Sequence, residues 1–122
     1  MSHKEIIDRF YYRPEIKEKL ARRKLTPSEK EELLRSSRAL ARLVEYRKLI
    51  PQFDSRLGEI RFPTLVIGAD QDQAVPLPYQ ERLHAGISHS KLVIFQETGH
   101  AIPTERPAEL ADETRKFLQN AL

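Results

Sequence analysis

Two short apolar runs constrain this chain more than anything else in it. Thr64-Leu65-Val66-Ile67 ends at Gly68, and Lys91-Leu92-Val93-Ile94-Phe95 follows some two dozen residues later. Neither alternates polar with apolar residues, which is the pattern of strands covered on both faces rather than of strands with one face in water. Between them lie a polar loop with Pro76 and Pro78 and a helical stretch near Tyr79–Ala85. After the second run a loop, Gln96–Arg106, leads to Pro107, which opens a last helix with Leu110, Thr114, Phe117 and Leu118 on one side. This strand-helix-strand-helix order predicts parallel pairing through a right-handed crossover, an α/β architecture. Two such strands and one terminal helix cannot cover both faces or satisfy both edges. The sheet is therefore expected to continue with strands outside this chain, which is incomplete as a single unit.

The residues before these runs have a different character. Residues 1–50 hold 14 Lys/Arg against 8 Asp/Glu, whereas residues 51–122 hold 7 against 10, and the apolar period changes at the same place. Ser2 and Glu5 have the spacing of a capping box ahead of Ile6, Ile7 and Phe10. A second helix is expected from Pro14 to about Lys24. Thr26-Pro27-Ser28-Glu29 repeats the start signal, with Thr26 as N-cap and Glu29 reaching back to its amide. Leu33, Leu34, Leu40, Leu43 and Val44 then form a stripe along some twenty residues that Pro51 ends. The chain thus divides into a helical segment, 1–56, and a β-α-β-α segment, 57–122. The basic excess of the first reads as a solvated helix face laced with Glu/Lys and Glu/Arg pairs. The competing reading, a nucleic-acid surface, finds no recognition motif to support it.

Several classes fall away on composition. With no cysteine there is no disulfide, thiolate nucleophile or Cys-ligated metal. The four glycines, Gly58, Gly68, Gly86 and Gly99, are spaced wrongly for a phosphate loop or a dinucleotide fingerprint. Histidines at positions 3, 84, 89 and 100 show no metal-ligand spacing, so neither metal nor cofactor is expected. No apolar run approaches the ~20 residues a membrane span needs, and the polar start MSHKEIIDR has no signal-peptide core, so the chain is expected in the cytosol.

In open parallel sheets, reactive groups collect outside the carboxyl ends of the strands. The two loops there read Gly68-Ala69-Asp70-Gln71-Asp72-Gln73-Ala74-Val75-Pro76 and Gln96-Glu97-Thr98-Gly99-His100-Ala101-Ile102-Pro103. An acid after one strand and a histidine after the next is what a nucleophile-His-acid relay requires. The carboxylate holds the imidazole in one tautomer while the imidazole takes and returns a proton. Each residue alone reads equally as a turn aspartate or a solvated histidine.

From Leu57 onward the chain resembles the C-terminal part of the α/β-hydrolase family. The resemblance rests on Ile60-Arg61-Phe62-Pro63-Thr64-Leu65-Val66-Ile67-Gly68, on Asp70-Gln71-Asp72 leading to Val75-Pro76, on Gly99-His100, and on Glu105-Arg106-Pro107. Residues 1–56 are similar in character to the helical cap that many members insert before these elements. The resemblance implies that Asp72 is the triad acid, with Asp70 its competitor, and that His100 is the base. It further places Val75 and Ala101 where side chains often line the active site, and makes Tyr11 and Tyr12 candidates for the substrate contacts that cap tyrosines make in some members. The alternative for the tyrosines is an amphipathic anchor that packs the cap down.

The family's nucleophile sits on a G-x-S-x-G elbow earlier in the chain, with oxyanion donors beside it. None of Ser2, Ser28, Ser36, Ser37, Ser55, Ser88 and Ser90 has that setting. The expected function is hydrolysis of a small ester-like or related substrate once an N-terminal half supplies the nucleophile, with no activity expected of this chain alone. The alternative is a non-catalytic remnant or interaction module that pairs through its sheet edge, with itself or with another protein.

Overall fold

The computed structural model describes residues 2–46 and 53–121 of the chain. Its elements run α1 (His3–Phe10), α2 (Pro14–Arg22), α3 (Pro27–Tyr46), a 3-10 helix (Asp54–Glu59), β1 (Thr64–Ala69), α4 (Leu77–Gly86), β2 (Ser90–Phe95), α5 (Ile102–Glu105) and α6 (Pro107–Ala121).

The helix starts follow their local chemistry. At α1 the Ser2 amide donates to Glu5 Oε2 at 2.5 Å and the Glu5 amide donates to Ser2 Oγ at 3.2 Å, which satisfies two amides the first turn would leave unpaired. Thr26 and Glu29 make the same exchange at 2.8 and 3.2 Å ahead of α3. Pro14 and Pro27 occupy first-turn positions where a missing N–H costs nothing. Of the apolar stripe expected along α3, part is described. Leu33 is half-buried, but Leu34 is 53% and Leu43 60% exposed. The side chains of Leu40 and Val44, and Pro51 as terminator, lie outside the described residues.

β1 and β2 pair in parallel, in register from Thr64 opposite Ser90 to Ala69 opposite Phe95. The sheet has these two strands among the described residues. As expected of two strands with one terminal helix, neither face is fully covered, although each meets a helix. The crossover helix α4 lies over Gly68 and Ile94, with Gln80 beneath Gly68. On the other face Ala69, Phe95 and Ile102 form a buried cluster, against which Ile67, Val93 and Leu110 of α6 pack. Both covers are partial. Leu65, Ile67, Leu92, Val93 and Ile94 all remain half-buried, although an unalternated apolar run has no polar face suited to water. The expected loop Gln96–Arg106 contains the single turn α5, whose four residues are too few to display a helical period. Among the described residues no helix is long and apolar enough to cross a membrane.

Candidate functional site

Both loops at the carboxyl ends of the strands are held in place by backbone before any side chain acts. The Asp70 amide donates to Phe95 O at 3.1 Å and the Gln71 amide to Thr98 O at 3.0 Å, which continues the ladder past the last paired residues. Asp70 Oδ1 accepts from the Thr98 amide at 3.3 Å. Thr98 is fully buried; its hydroxyl donates to Gln96 O at 2.7 Å and accepts from Arg106 Nε at 3.1 Å. Asp70 thus ties the acid loop to the histidine loop.

Asp72 is the acid that meets the histidine. Its Oδ1 accepts from the amides of Ala74 and Val75 at 2.9 and 2.8 Å, an Asx-type turn that fixes the carboxylate plane. Its Oδ2 then faces His100 Nδ1 at 3.0 Å. The Asp72 side chain is 5% exposed and that of His100 41%. An ionised carboxylate only accepts, so Nδ1 carries the proton and Nε2, the other ring nitrogen, is left as the basic atom. The Phe10 ring stands edge-on to the imidazole, centroids 5.3 Å apart, and narrows its rotational freedom.

The remaining expected residues are distributed around this pair. Val75 contributes its amide to Asp72 and is itself 39% exposed. Ala101, half-buried, donates its amide to Phe10 O at 3.1 Å. Tyr11 is half-buried and lines a groove with Ile6, Leu20 and Leu33 between the first three helices. Tyr12 is exposed in its ring and donates its amide to Glu105. Neither tyrosine hydroxyl bonds to the Asp72–His100 pair among the described residues.

Two buried polar residues that sequence reasoning passed over support the site. Gln80 of α4 accepts from the Ala69 amide at 3.1 Å and donates to Val75 O at 2.7 Å, and its Nε2 lies 3.5 Å from Asp72 Oδ2. Glu105 of α5 is 3% exposed and accepts from the amides of Tyr12, Arg13 and Gly99. No sequence signal separates Gln80 from its exposed helical neighbours. Glu105 stood out only as part of the Glu105-Arg106-Pro107 helix start.

No serine hydroxyl reaches His100 among the described residues. The Ser–His contact that does occur, Ser90 Oγ to His84 Nδ1 at 2.8 Å, lies at the opposite end of β2, where the hydroxyl donates to the Ile87 carbonyl at 2.6 Å and closes the end of α4. No cluster of three metal-ligating side chains occurs among the described residues. What the pair can do chemically is accept a proton at Nε2 and stabilise the resulting imidazolium through Asp72.

Comparison with known proteins gives this arrangement its setting. The family model for the alpha/beta hydrolase fold matches residues 7–107. The chain is 31% identical over 84 residues to YugF, an uncharacterized hydrolase of Bacillus subtilis, covering 67% of this chain and 30% of that protein. It is 48% identical over 60 residues to 2-hydroxy-6-oxononadienedioate/2-hydroxy-6-oxononatrienedioate hydrolase 1 of Pseudomonas putida, covering 49% of this chain and 21% of that protein. Among solved structures, a thermophilic esterase from Thermogutta terrifontis aligns over 98% of this chain and 43% of its own, with a TM-score of 0.69 and 25% identity. A membrane phospholipase A aligns over 98% of this chain and 37% of its own, with a TM-score of 0.76; at 22% identity that likeness speaks for the fold alone. The chain therefore spans under a third of the length of these two curated relatives. Its family match, its parallel strand-helix units and its structural neighbours agree: the chain belongs to the α/β-hydrolase fold family.

Proposed function

We propose that this chain carries the acid and the base of a nucleophile-His-Asp relay, Asp72 and His100, and that an N-terminal half of the hydrolase supplies the nucleophile. The observation that carries the reading is the Asp72–His100 hydrogen bond at the carboxyl ends of two parallel strands, with the carboxylate buried and pinned by two amides. In the completed site His100 Nε2 takes the proton of the nucleophile as its oxygen bonds to the substrate carbonyl carbon, then delivers that proton to the leaving group. Asp72 keeps the imidazole oriented and balances its charge, so the relay itself needs no cofactor. Residues 1–56 form the cap and residues 57–122 the final strands and helices of the core. The half-buried apolar residues of both strands support a sheet that continues beyond them. The substrate class is a small ester-like or related carbonyl compound, a range that includes the dienedioate for which the Pseudomonas putida relative is named.

The test uses a fluorophosphonate probe and an activated ester. The purified chain alone is expected to show neither labelling nor turnover. Combined with an N-terminal hydrolase half bearing a nucleophile elbow, it should label that half and turn over the ester, and His100→Ala should abolish turnover without loss of assembly. Stoichiometric labelling with turnover by this chain alone would overturn the reading, as would full turnover by the assembled His100→Ala variant.

A further inference from the structure

The buried carboxylate of Glu105 takes no direct part in the relay, yet it sits where two segments distant in sequence meet. Its Oε1 accepts from the Tyr12 amide at 2.5 Å and the Arg13 amide at 2.9 Å, in the short link between α1 and α2. Its Oε2 accepts from the Gly99 amide at 2.5 Å, next to His100. The Arg13 guanidinium donates to the Glu105 backbone carbonyl at 3.1 Å, and Ala101, on the other side of His100, donates to Phe10 O at 3.1 Å. The approach is too close for a side chain. A Cβ on Gly99 would lie 2.8 Å from Phe10 O and 2.9 Å from the Tyr12 nitrogen. The residues flanking His100 on both sides are therefore bonded to this one link or to the carboxylate that grips it. The Phe10 ring, at the head of the same link, rests edge-on against the imidazole.

We propose that Glu105 is a positioning residue that couples the seating of α1 and α2 to the orientation of His100. The proposal rests on the reading of His100 as the relay base. When the 10–13 link is docked, Glu105 binds both sides and the imidazole is held between Phe10 and Asp72. When the link lifts, Ala101 loses Phe10, Glu105 loses two of its three amides, and Gly99 is left on a carboxylate opened to water, so the histidine loop is released from Phe10. A charged acceptor for three amides makes this junction stronger than neutral loop contacts would be. It also makes the junction all-or-none, because a half-occupied carboxylate in a buried site is poorly tolerated.

The experiment compares the full chain with its Glu105→Gln and Asp72→Asn variants by NMR. It reads the Nδ1-bound proton of His100 and amide exchange at Tyr12, Arg13, Gly99, Val66 and Val93. Glutamine keeps the shape of Glu105 but turns one acceptor into a donor, so either Gly99 or the Tyr12–Arg13 pair loses its partner. Exchange at these three amides should rise about tenfold or more, as for loss of a charge-assisted bond, with the ladder amides of Val66 and Val93 unchanged. The His100 proton signal should move toward that of a solvated imidazole. In the unaltered chain the three amides should open together, at lower urea than the strand amides. If Asp72→Asn leaves the His100 signal where it was, the relay reading fails. If Asp72→Asn shifts it and Glu105→Gln does not, the coupling fails while the relay stands. Independent opening of Gly99 and Tyr12 in the unaltered chain also overturns the coupling. General loss of protection at Val66 and Val93 in Glu105→Gln does the same, since the carboxylate would then support the fold rather than the histidine.

Discussion

Replacing Gly68 by alanine probes how the floor of the acid loop is built. A Cβ there would lie 1.8 Å from Gln80 Oε1, 2.6 Å from its Cδ and 2.9 Å from Ile94 Cδ1. The first two distances are inside any van der Waals contact, so Gln80 must leave its place. Gln80 accepts from the Ala69 amide and donates to Val75 O, and Ala69 is fully buried. Expelling it strands a buried amide, at about 1–3 kcal/mol, and forfeits a second bond of about 0.5–1.5 kcal/mol. Removing a glycine from a strand returns about 0.5–1 kcal/mol. The expected net loss is about 2 kcal/mol at the middle of these ranges, read as a lower urea midpoint at unchanged slope. Gln80→Ala should cost about as much by itself, because it breaks the same bonds without a clash. The double variant, with the new methyl entering the space Gln80 vacates, should be no worse than either single one, a coupling of at least about 2 kcal/mol. Additive single effects, or a Gly68→Ala variant within about 0.5 kcal/mol of the parent, would refute this account of the loop.

Two further outcomes follow from local geometry. Glu97, in the turn after β2, holds φ at 50°, the left-handed region where a side chain costs about 1–2 kcal/mol, so Glu97→Gly should raise stability in urea by up to about 1 kcal/mol after the entropy lost to glycine. Glu5 and Glu29 titrate below their ordinary value of 4.5, chiefly because each accepts the backbone amide of its own N-cap, Ser2 and Thr26. A carboxyl lowered in the folded state stabilises above its unfolded pKa and loses that contribution as pH falls through the folded one. Amide shifts of Ser2 and Thr26 should therefore stay constant down to about pH 4.5 and then move together with helix content as the pH drops further. Movement beginning well above that value would contradict the capping boxes.

What could be read from residues alone was local. Capping boxes at Ser2 and Thr26 act over three residues through short bonds that few tertiary forces override, and both appear as their spacing predicts. The strands came from unbroken apolar runs, and their observed ends differ from the runs by one or two residues. The family resemblance favoured Asp72 over Asp70 as the acid; in the structure Asp72 meets the imidazole and Asp70 the opposite loop. The apolar stripe on α3 shows how far such a pattern reaches. A period of 3.6 states which residues share a face and says nothing of what covers it, and Leu34 and Leu43 face solvent.

By itself the sequence determined the order of elements, the two loops that bear the acid and the histidine, and the absence of cysteine chemistry, because these depend on residue type and near-neighbour spacing. Tertiary structure decided which helix covers which face of the sheet, that Gln80 lies under Gly68, and that Glu105 joins Tyr12 and Arg13 to Gly99 across some ninety positions of chain. A buried polar residue and an exposed one are identical as letters. Their difference is the partner they find, and that partner comes within reach only when the chain folds back on itself.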